Sequence, residues 1–222
     1  KPFFLYVAHC APHWPLMAPE EEIKKYEHVY DEGWQKIREE RYKKLIEKGI
    51  FKGDTTKLSE FMFPDLKWAE NENKNWDSRA MAVHAAMIDR MDQNIGKLID
   101  KLEATGQLDN TVIMLMSDNG ASSERPSQYG IGFDRPSETR DGREIHYPVK
   151  KSEEHLPGPE TVMSGIGPVW ANVANTPFRY WKARVYEGEI TSPFIVHWPA
   201  GIKEQGIVKS QAAHIIDIMP TL

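Results

Sequence analysis

Short apolar runs and amphipathic stretches follow one another along the first half of the chain. Residues 3–8, FFLYVA, form a continuous apolar run, which is the pattern of a strand buried on both faces of a parallel sheet. Residues 34–45 carry a loose helical stripe of apolar side chains, and Gly49 supplies a C-terminal stop. A clearer stripe, with a period of about 3.6 residues, runs through residues 79–105 and ends at Gly106. This half therefore predicts a strand followed by two helices.

Further apolar runs follow the second predicted helix. Residues 111–116, TVIMLM, are apolar after the first threonine, which predicts a central strand. A helix, a short turn and a buried strand in this order form the αβ half of a βαβ unit. Residues 192–201, SPFIVHWPAG, are strand-like, and residues 214–222, HIIDIMPTL, are expected to begin another helix. Helices and strands thus alternate along the predicted chain.

Residues 121–181 interrupt this alternation. They hold seven of the fifteen prolines and show no sustained periodicity. A loop of this length inside a compact domain is usually functional or disordered. The aromatic residues of WANVANTPFRYWK, residues 170–182, favour order. We therefore expect an insertion at about 121–181 that shapes the pocket of the site.

Composition narrows the possible partners. The net charge of -5 gives no bulk attraction to nucleic acid or to an anionic membrane, so neither is expected as a partner. No apolar run approaches the ~20 residues that cross a bilayer, so no membrane span is expected. The single cysteine excludes an internal disulfide framework and any multi-cysteine zinc or iron–sulfur site. The chain lacks a signal peptide and an initiator methionine, and we expect both of its ends to be cuts through a larger protein.

Polar residues with possible chemistry follow the predicted strands. Asp118 and Asn119 come directly after strand 111–116, and they offer a charged and a neutral oxygen ligand that suit Ca²⁺ or Mg²⁺. The alternative is an Asx turn, because Asp-Asn-Gly is a common turn sequence. Lys182 lies among aromatic residues before a glycine turn. It can place a point charge on a sulfate or phosphate oxygen, or it is an ordinary surface lysine.

The loop after residues 3–8 contains two further candidates. His13 lies between two prolines in PHWP, which stiffen the backbone and present the imidazole from a loop. It can donate a hydrogen bond to an anion or act as a general acid, or it simply packs on Trp14. Cys10 lacks the electropositive setting of a nucleophile, so we expect a small buried thiol there.

Taken in order along the chain, these segments resemble the sulfatase family. The ANTPFR segment and the long insertion look most like its bacterial arylsulfatase branch. The matching segments are AHCAPHWP, MIDRMDQNIGKLIDKL, DNTVIMLMSDNG, KARVYEGEITSPFIVHWPAG and AAHIIDIMPTL. The resemblance covers nearly the whole chain apart from residues 20–75 and the insertion. It implies that residues 1–222 are a central to C-terminal part of a sulfatase catalytic domain. The implied fold is α/β, an incomplete alkaline-phosphatase-like three-layer sandwich with a mixed, mostly parallel sheet.

The resemblance also implies roles for individual residues. Asp118 and Asn119 match ligands of the active-site cation, with Ca²⁺ preferred over Mg²⁺. His13 matches the histidine that contacts the sulfate and helps to protonate the leaving oxygen, and Lys182 matches the lysine that binds the sulfate oxygens. The family nucleophile is a formylglycine made in a C-x-P-x-R type motif. Cys10 stands in CAPHW without the arginine, so the formylglycine is expected upstream of this chain.

The implied reaction is hydrolysis of an aryl or carbohydrate sulfate. In it the hydrated aldehyde attacks sulfur, the alcohol leaves with help from His13 and Lys182, and the covalent sulfate is eliminated. The isolated chain is expected to be inactive. Two alternatives remain: a phosphodiesterase or phosphonate hydrolase of the same superfamily, and a noncatalytic domain that binds sulfated glycans. The expected ligand is a sulfated small molecule or glycan, and the expected location is periplasmic or extracellular.

Overall fold

The computed structural model describes residues 2–128 and 135–222, so residues 129–134 of the predicted insertion lie outside the described part. The described α-helices are α1 (Glu20–Ile23), α2 (Trp34–Glu47), α3 (Lys74–Ala104), α4 (Gly167–Ala174), α5 (Glu187–Ile190) and α6 (Ile218–Thr221). The strands are β1 (Ile113–Met116) and β2 (Phe194–His197). Short 3₁₀ turns occur at Lys24–Tyr26, Trp68–Glu70, Leu108–Asn110, Pro126–Gln128, Glu153–His155 and Ile215–Asp217.

Helix α3 is the longest element and confirms the second predicted helix. Its first half is buried on nearly every side, since residues 76–78, 80–83 and 85–87 are all buried. Its second half is more exposed, and Leu98 is 40% accessible. The helix ends in a Schellman motif around Gly106, whose backbone adopts a φ of 66°. No helix in residues 2–128 or 135–222 has both the length and the apolar character needed to cross a membrane.

Helix α2 confirms the first predicted helix and its stop. Trp34 and Arg38, one turn apart, are its buried residues. At the C-terminus Gly49 has a φ of 69°, and its N–H donates to Ile46 O at 2.9 Å. The next N–H, that of Ile50, donates to Leu45 O at 3.0 Å. These two bonds complete a Schellman motif that requires left-handed backbone at residue 49.

Strands β1 and β2 pair in antiparallel register and lie where two strands of the second half were predicted. The predicted burial of β1 as a central strand is wrong for the described residues, because β1 is only partly buried and Leu115 is 38% exposed. Ile113 lies opposite His197, and Met116 lies opposite Phe194. This is the one sheet within the described residues. The larger, mostly parallel sheet stays an expectation, because a two-stranded pair neither confirms nor excludes it.

The predicted buried strand at residues 3–8 is wrong for this structure. The segment has no regular secondary structure, and Phe4 and Tyr6 are 81% and 80% exposed. An apolar run becomes a strand only where a neighbouring strand pairs with its backbone groups. No described residue pairs with this segment as a strand, so its apolar side chains stay exposed.

The core lies where α1 and α4 approach the first half of α3 and the start of α2. Trp170 of α4 is fully buried, with Tyr30, Trp34 and Trp68 edge-on around it at centroid distances of 5.7, 6.4 and 6.0 Å. The expectation of order in residues 170–182 is therefore confirmed. Helix α4 itself carried no periodic signal, because its eight residues, GPVWANVA, are apolar on nearly every side.

Candidate functional site

The His13 loop is fixed by segments far away in the sequence. The N–H of His13 donates to Cys10 O at 3.0 Å, which closes a tight turn. After the turn, the N–H of Leu16 donates to Ser164 O at 3.0 Å, and the Leu16 side chain is 1% exposed. The N–H of Ala18 donates to Gly158 O at 3.2 Å. The predicted insertion therefore contributes the backbone groups that hold this loop in place.

The segment around Lys182 is held in an unusual backbone conformation. Tyr180 and Ala183 have φ values of 64° and 69°, in the left-handed region that non-glycine residues seldom adopt. Two contacts fix the segment: Asn175 Nδ2 donates to Tyr180 O at 3.0 Å, and the N–H of Lys182 donates to Ala121 O at 3.0 Å. Strained backbone of this kind persists only where surrounding contacts determine it. Here the contacts fix the backbone from which the Lys182 side chain extends.

The side chains of His13 and Lys182 meet. Lys182 Nζ lies 3.2 Å from His13 Nε2, although 169 residues separate them in sequence. His13 Nδ1 lies 2.8 Å from the carbonyl oxygen of Trp14, and a carbonyl oxygen only accepts, so Nδ1 carries the proton. An ammonium group only donates, so Nε2 accepts from Lys182. The two contacts together assign the neutral Nδ1–H tautomer to His13.

Glu124 completes this cluster, and sequence reasoning missed it. Its Oε2 lies 3.5 Å from His13 Nε2 and 3.8 Å from Lys182 Nζ. The same oxygen accepts from Trp14 Nε1 at 2.6 Å and from Ser122 Oγ at 3.0 Å. It lies six residues after Asp118 in the polar loop that follows a strand, and this position alone does not distinguish it from other loop carboxylates.

Asp118 and Asn119 lie in the loop that leaves β1, as predicted. The same loop is joined to the Lys182 segment by the hydrogen bond from the Lys182 N–H to Ala121 O. Asp118 is exposed and Asn119 is half-buried, with its Nδ2 donating to Gly120 O at 2.9 Å. The N–H of Gly120 donates to Glu189 O at 2.9 Å. A Cβ at Gly120 would lie 1.8 Å from Gly188 O, so only glycine permits this approach. Within the described residues, no side-chain contact joins the Asp118–Asn119 pair to His13 or Lys182.

The donor set suits part of a cation site. A carboxylate and an amide oxygen are hard ligands of the type that Ca²⁺ binds, usually six to eight at a time. In the described part of the chain, no group of three or more His, Cys, Asp or Glu side chains is arranged to hold a metal ion. Asp118 and Asn119 therefore fit as two ligands, and further ligands would have to join them.

Cys10 is exposed, so the expectation of a buried thiol is wrong. The cysteine belongs to residues 2–10, which are exposed throughout. A small apolar side chain is buried only where other elements pack over it. The described elements leave this part of the loop uncovered.

Comparisons with known proteins address the family directly. The Sulfatase family model matches residues 1–222. The chain is 34% identical to an uncharacterized sulfatase of Schizosaccharomyces pombe, over 99% of the chain and 38% of that protein. It is 32% identical to an arylsulfatase of Klebsiella aerogenes, over 100% of the chain and 46% of that protein. A sulfatase of Formosa agariphila is 25% identical over 71% of the chain and 22% of that protein.

These matches confirm the resemblance drawn from the motifs, and they support an alkaline-phosphatase-like fold and sulfate-ester hydrolysis at the level of the family. The chain spans less than half the length of the relatives that it matches. The family model covers the full length of the chain, residues 1–222. The chain belongs to the sulfatase family.

Proposed function

We propose that this chain supplies the anion-binding and proton-donating side of an enzyme that hydrolyses aryl or carbohydrate sulfates. One observation carries the proposal: Lys182 Nζ and His13 Nε2 lie 3.2 Å apart on segments that are remote in sequence. Both atoms are partly accessible, since the two side chains are 29% and 40% exposed. A sulfate oxygen that approaches this point can accept from Lys182 and contact the imidazole at once.

His13 is proposed to protonate the departing oxygen. Nε2 holds a lone pair toward Lys182, while Nδ1–H is fixed on Trp14 O. Once Nε2 takes up a proton, the ring donates from both nitrogens, and the Nδ1 bond keeps its orientation unchanged. Nε2–H can then donate to the ester oxygen as negative charge develops there, which lowers the barrier to departure of the alcohol.

Lys182 is proposed to stay on the sulfate throughout. Its ammonium is a compact point charge, and its backbone is fixed to Ala121 on the loop that leaves β1. The charge therefore lies beside the position of the sulfate oxygens before the substrate binds, and little reorganisation is needed during the reaction.

Asp118 and Asn119 are proposed to ligate a divalent cation, Ca²⁺ in preference to Mg²⁺. When bound, the cation supplies positive charge against the sulfate oxygens. The nucleophile is proposed to be a formylglycine in sequence that precedes this chain. The substrate is proposed to be a sulfated small molecule or glycan, and the proposed location is the periplasm or the extracellular space.

The test compares matched sulfate and phosphate esters of 4-nitrophenol with the complete protein. We expect the sulfate ester to react faster, and Lys182→Ala to lower kcat/KM by about 10²–10³-fold, as for the loss of one transition-state donor. Lys209→Ala is the matched control, because Lys209 is 69% exposed and pairs with Glu204. It should leave the rate unchanged.

Two results would contradict the proposal, and each would favour one of the two alternatives. Faster reaction of the phosphate esters would assign the protein to the phosphodiesterase or phosphonate hydrolase alternative. Saturable binding of a sulfated oligosaccharide with no hydrolysis would assign it to the noncatalytic alternative.

A further inference from the structure

Glu124 lies against both members of the His13–Lys182 pair, and anion binding by that pair alone gives it no role. Its Oε2 is 3.5 Å from His13 Nε2 and 3.8 Å from Lys182 Nζ. We propose that Glu124 is a specificity-determining residue that makes the site favour singly charged ester anions over doubly charged ones. The inference rests on the proposed function, because it takes the pair as the group that binds the ester anion.

Neutral donors hold the Glu124 carboxylate in place. Trp14 Nε1 donates to Oε2 at 2.6 Å, and Ser122 Oγ donates to it at 3.0 Å. Ser122 Oγ also accepts from the Glu124 backbone N–H at 3.3 Å, which ties the side chain to its own loop. Both bonds to Oε2 are shorter than its distances to His13 and Lys182. The carboxylate therefore stays in place when those two side chains turn toward an incoming anion.

The backbone of Glu124 is confined as well. A Cβ at Gly165 would lie 2.4 Å from Glu124 O, so the chain at residue 165 approaches this carbonyl more closely than any other residue would permit. Side chain and backbone are thus fixed from two directions. A fixed negative charge cannot move away from a second negative charge that enters the site.

The charges of the cluster suit a monoanion. Lys182 contributes one positive charge, Glu124 one negative charge, and His13 is neutral in the assigned tautomer. In this tautomer the positive charge of Lys182 pairs with one negative charge of the ligand, which is the charge that a sulfate ester carries. A phosphate monoester carries nearly two charges above its second pKa of about 6. Its extra charge meets the Glu124 carboxylate in a half-buried site, where water screens charges less than at an open surface.

The experiment measures binding of methyl sulfate and methyl phosphate to the complete protein at pH 8. The two anions have nearly the same shape and differ by one charge. Isothermal titration calorimetry gives the Kd of each for the wild-type protein and for Glu124→Gln, which keeps an oxygen to accept from Trp14 and Ser122 but removes the charge. We expect the ratio of the methyl phosphate Kd to the methyl sulfate Kd to fall about tenfold in Glu124→Gln, mainly through tighter methyl phosphate binding.

Two variants serve as controls. Glu124→Asp keeps the charge and should keep the wild-type ratio. Glu204→Gln makes the same substitution at a side chain that is 69% exposed and paired with Lys209, and it should also keep the ratio.

Three results would overturn the inference. The first is an unchanged Kd ratio in Glu124→Gln, and the second is equally weaker binding of both anions, as a merely structural role would give. The third is an absence of methyl sulfate binding to the wild-type protein. Turnover is not part of this readout. A protein that binds both anions with the expected ratios but hydrolyses no sulfate ester would count against the proposed function alone.

Discussion

At the scale of single residues, the candidate site depends on side chains that are fixed by backbone contacts from elsewhere in the chain. The His13 loop is held by backbone bonds to the insertion, and Lys182 by the bond of its N–H to Ala121 O. Asp118 and Asn119 differ from these two, because they come directly from the loop that leaves β1. Their proposed role depends on an ion, so it can be tested without any substrate.

Asp118→Ala should weaken calcium binding by the complete protein about tenfold or more, because the substitution removes a charged oxygen ligand. Calorimetric titration of the metal-free protein with Ca²⁺ measures the change. Asp109→Ala is the control, since Asp109 is also an exposed aspartate next to a strand and is not a proposed ligand. Equal calcium affinity of wild type and Asp118→Ala would remove Asp118 from the ligand set.

At the scale of elements, the loop after β1 and helix α5 approach each other too closely for any side chain. The N–H of Gly120 donates to Glu189 O, and the carbonyl oxygen of Gly188 occupies the space where a Cβ would stand. This contact brings Asn119 and Lys182 onto neighbouring segments. In helix α3, in contrast, a Cβ at Gly96 would meet nothing within 4 Å.

Gly120→Ala should lower the free energy of unfolding of the complete protein by about 1–3 kcal/mol, because the added methyl group collides with backbone. Gly96→Ala in α3 is the matched control: a Cβ there meets nothing within 4 Å, and alanine should raise the stability by about 0.5–1 kcal/mol. Denaturant unfolding measures both. Equal stability of the two variants would show that the close approach of the loop to α5 is absent in solution.

At the scale of the whole molecule, stability should depend on pH through a histidine on the core helix. Burial, together with the nearby charge of Arg41, lowers the pKa of His84 from 6.5 to about 4. Between these values the unfolded chain binds a proton that the folded chain does not. The contribution of a neutral His84 to stability is therefore complete above pH 6.5 and is lost as the pH falls toward 4.

His84→Gln should reduce the acid sensitivity of the thermal midpoint over this window, because glutamine does not titrate. Melting curves of the complete protein at a series of pH values measure the effect, and the exposed His197→Gln is the control. Parallel pH profiles for wild type and His84→Gln would assign the acid sensitivity to other groups.

The range over which each sequence pattern acts accounts for which predictions were confirmed. Helices α2 and α3 and strands β1 and β2 were predictable, because apolar periodicity and glycine stops act within a few residues. Residues 3–8 have an equally strong apolar pattern but no described partner strand, so the same reasoning failed there. The inactivity of the isolated chain stays a prediction.

In the candidate site, His13, Lys182, Asp118 and Asn119 could be selected from the sequence because their residue types and motif positions match the family chemistry. Glu124 could not be selected, because a carboxylate in a polar loop has no distinguishing local signal. Its importance arises from side chains that converge on one of its oxygens from distant parts of the chain, among them those of His13 and Lys182.

The sequence by itself determined the family, the principal helices and strands, and the residue types available for chemistry, because these depend on local patterns and ordered motifs. Only the tertiary structure decided that His13 and Lys182 meet, that the insertion holds the His13 loop, and that Glu124 lies beside this pair. The physical reason is distance along the chain. Contacts between segments more than a hundred residues apart depend on the packing of the core and on the close backbone approaches at Gly120 and Gly165, and no local pattern records them.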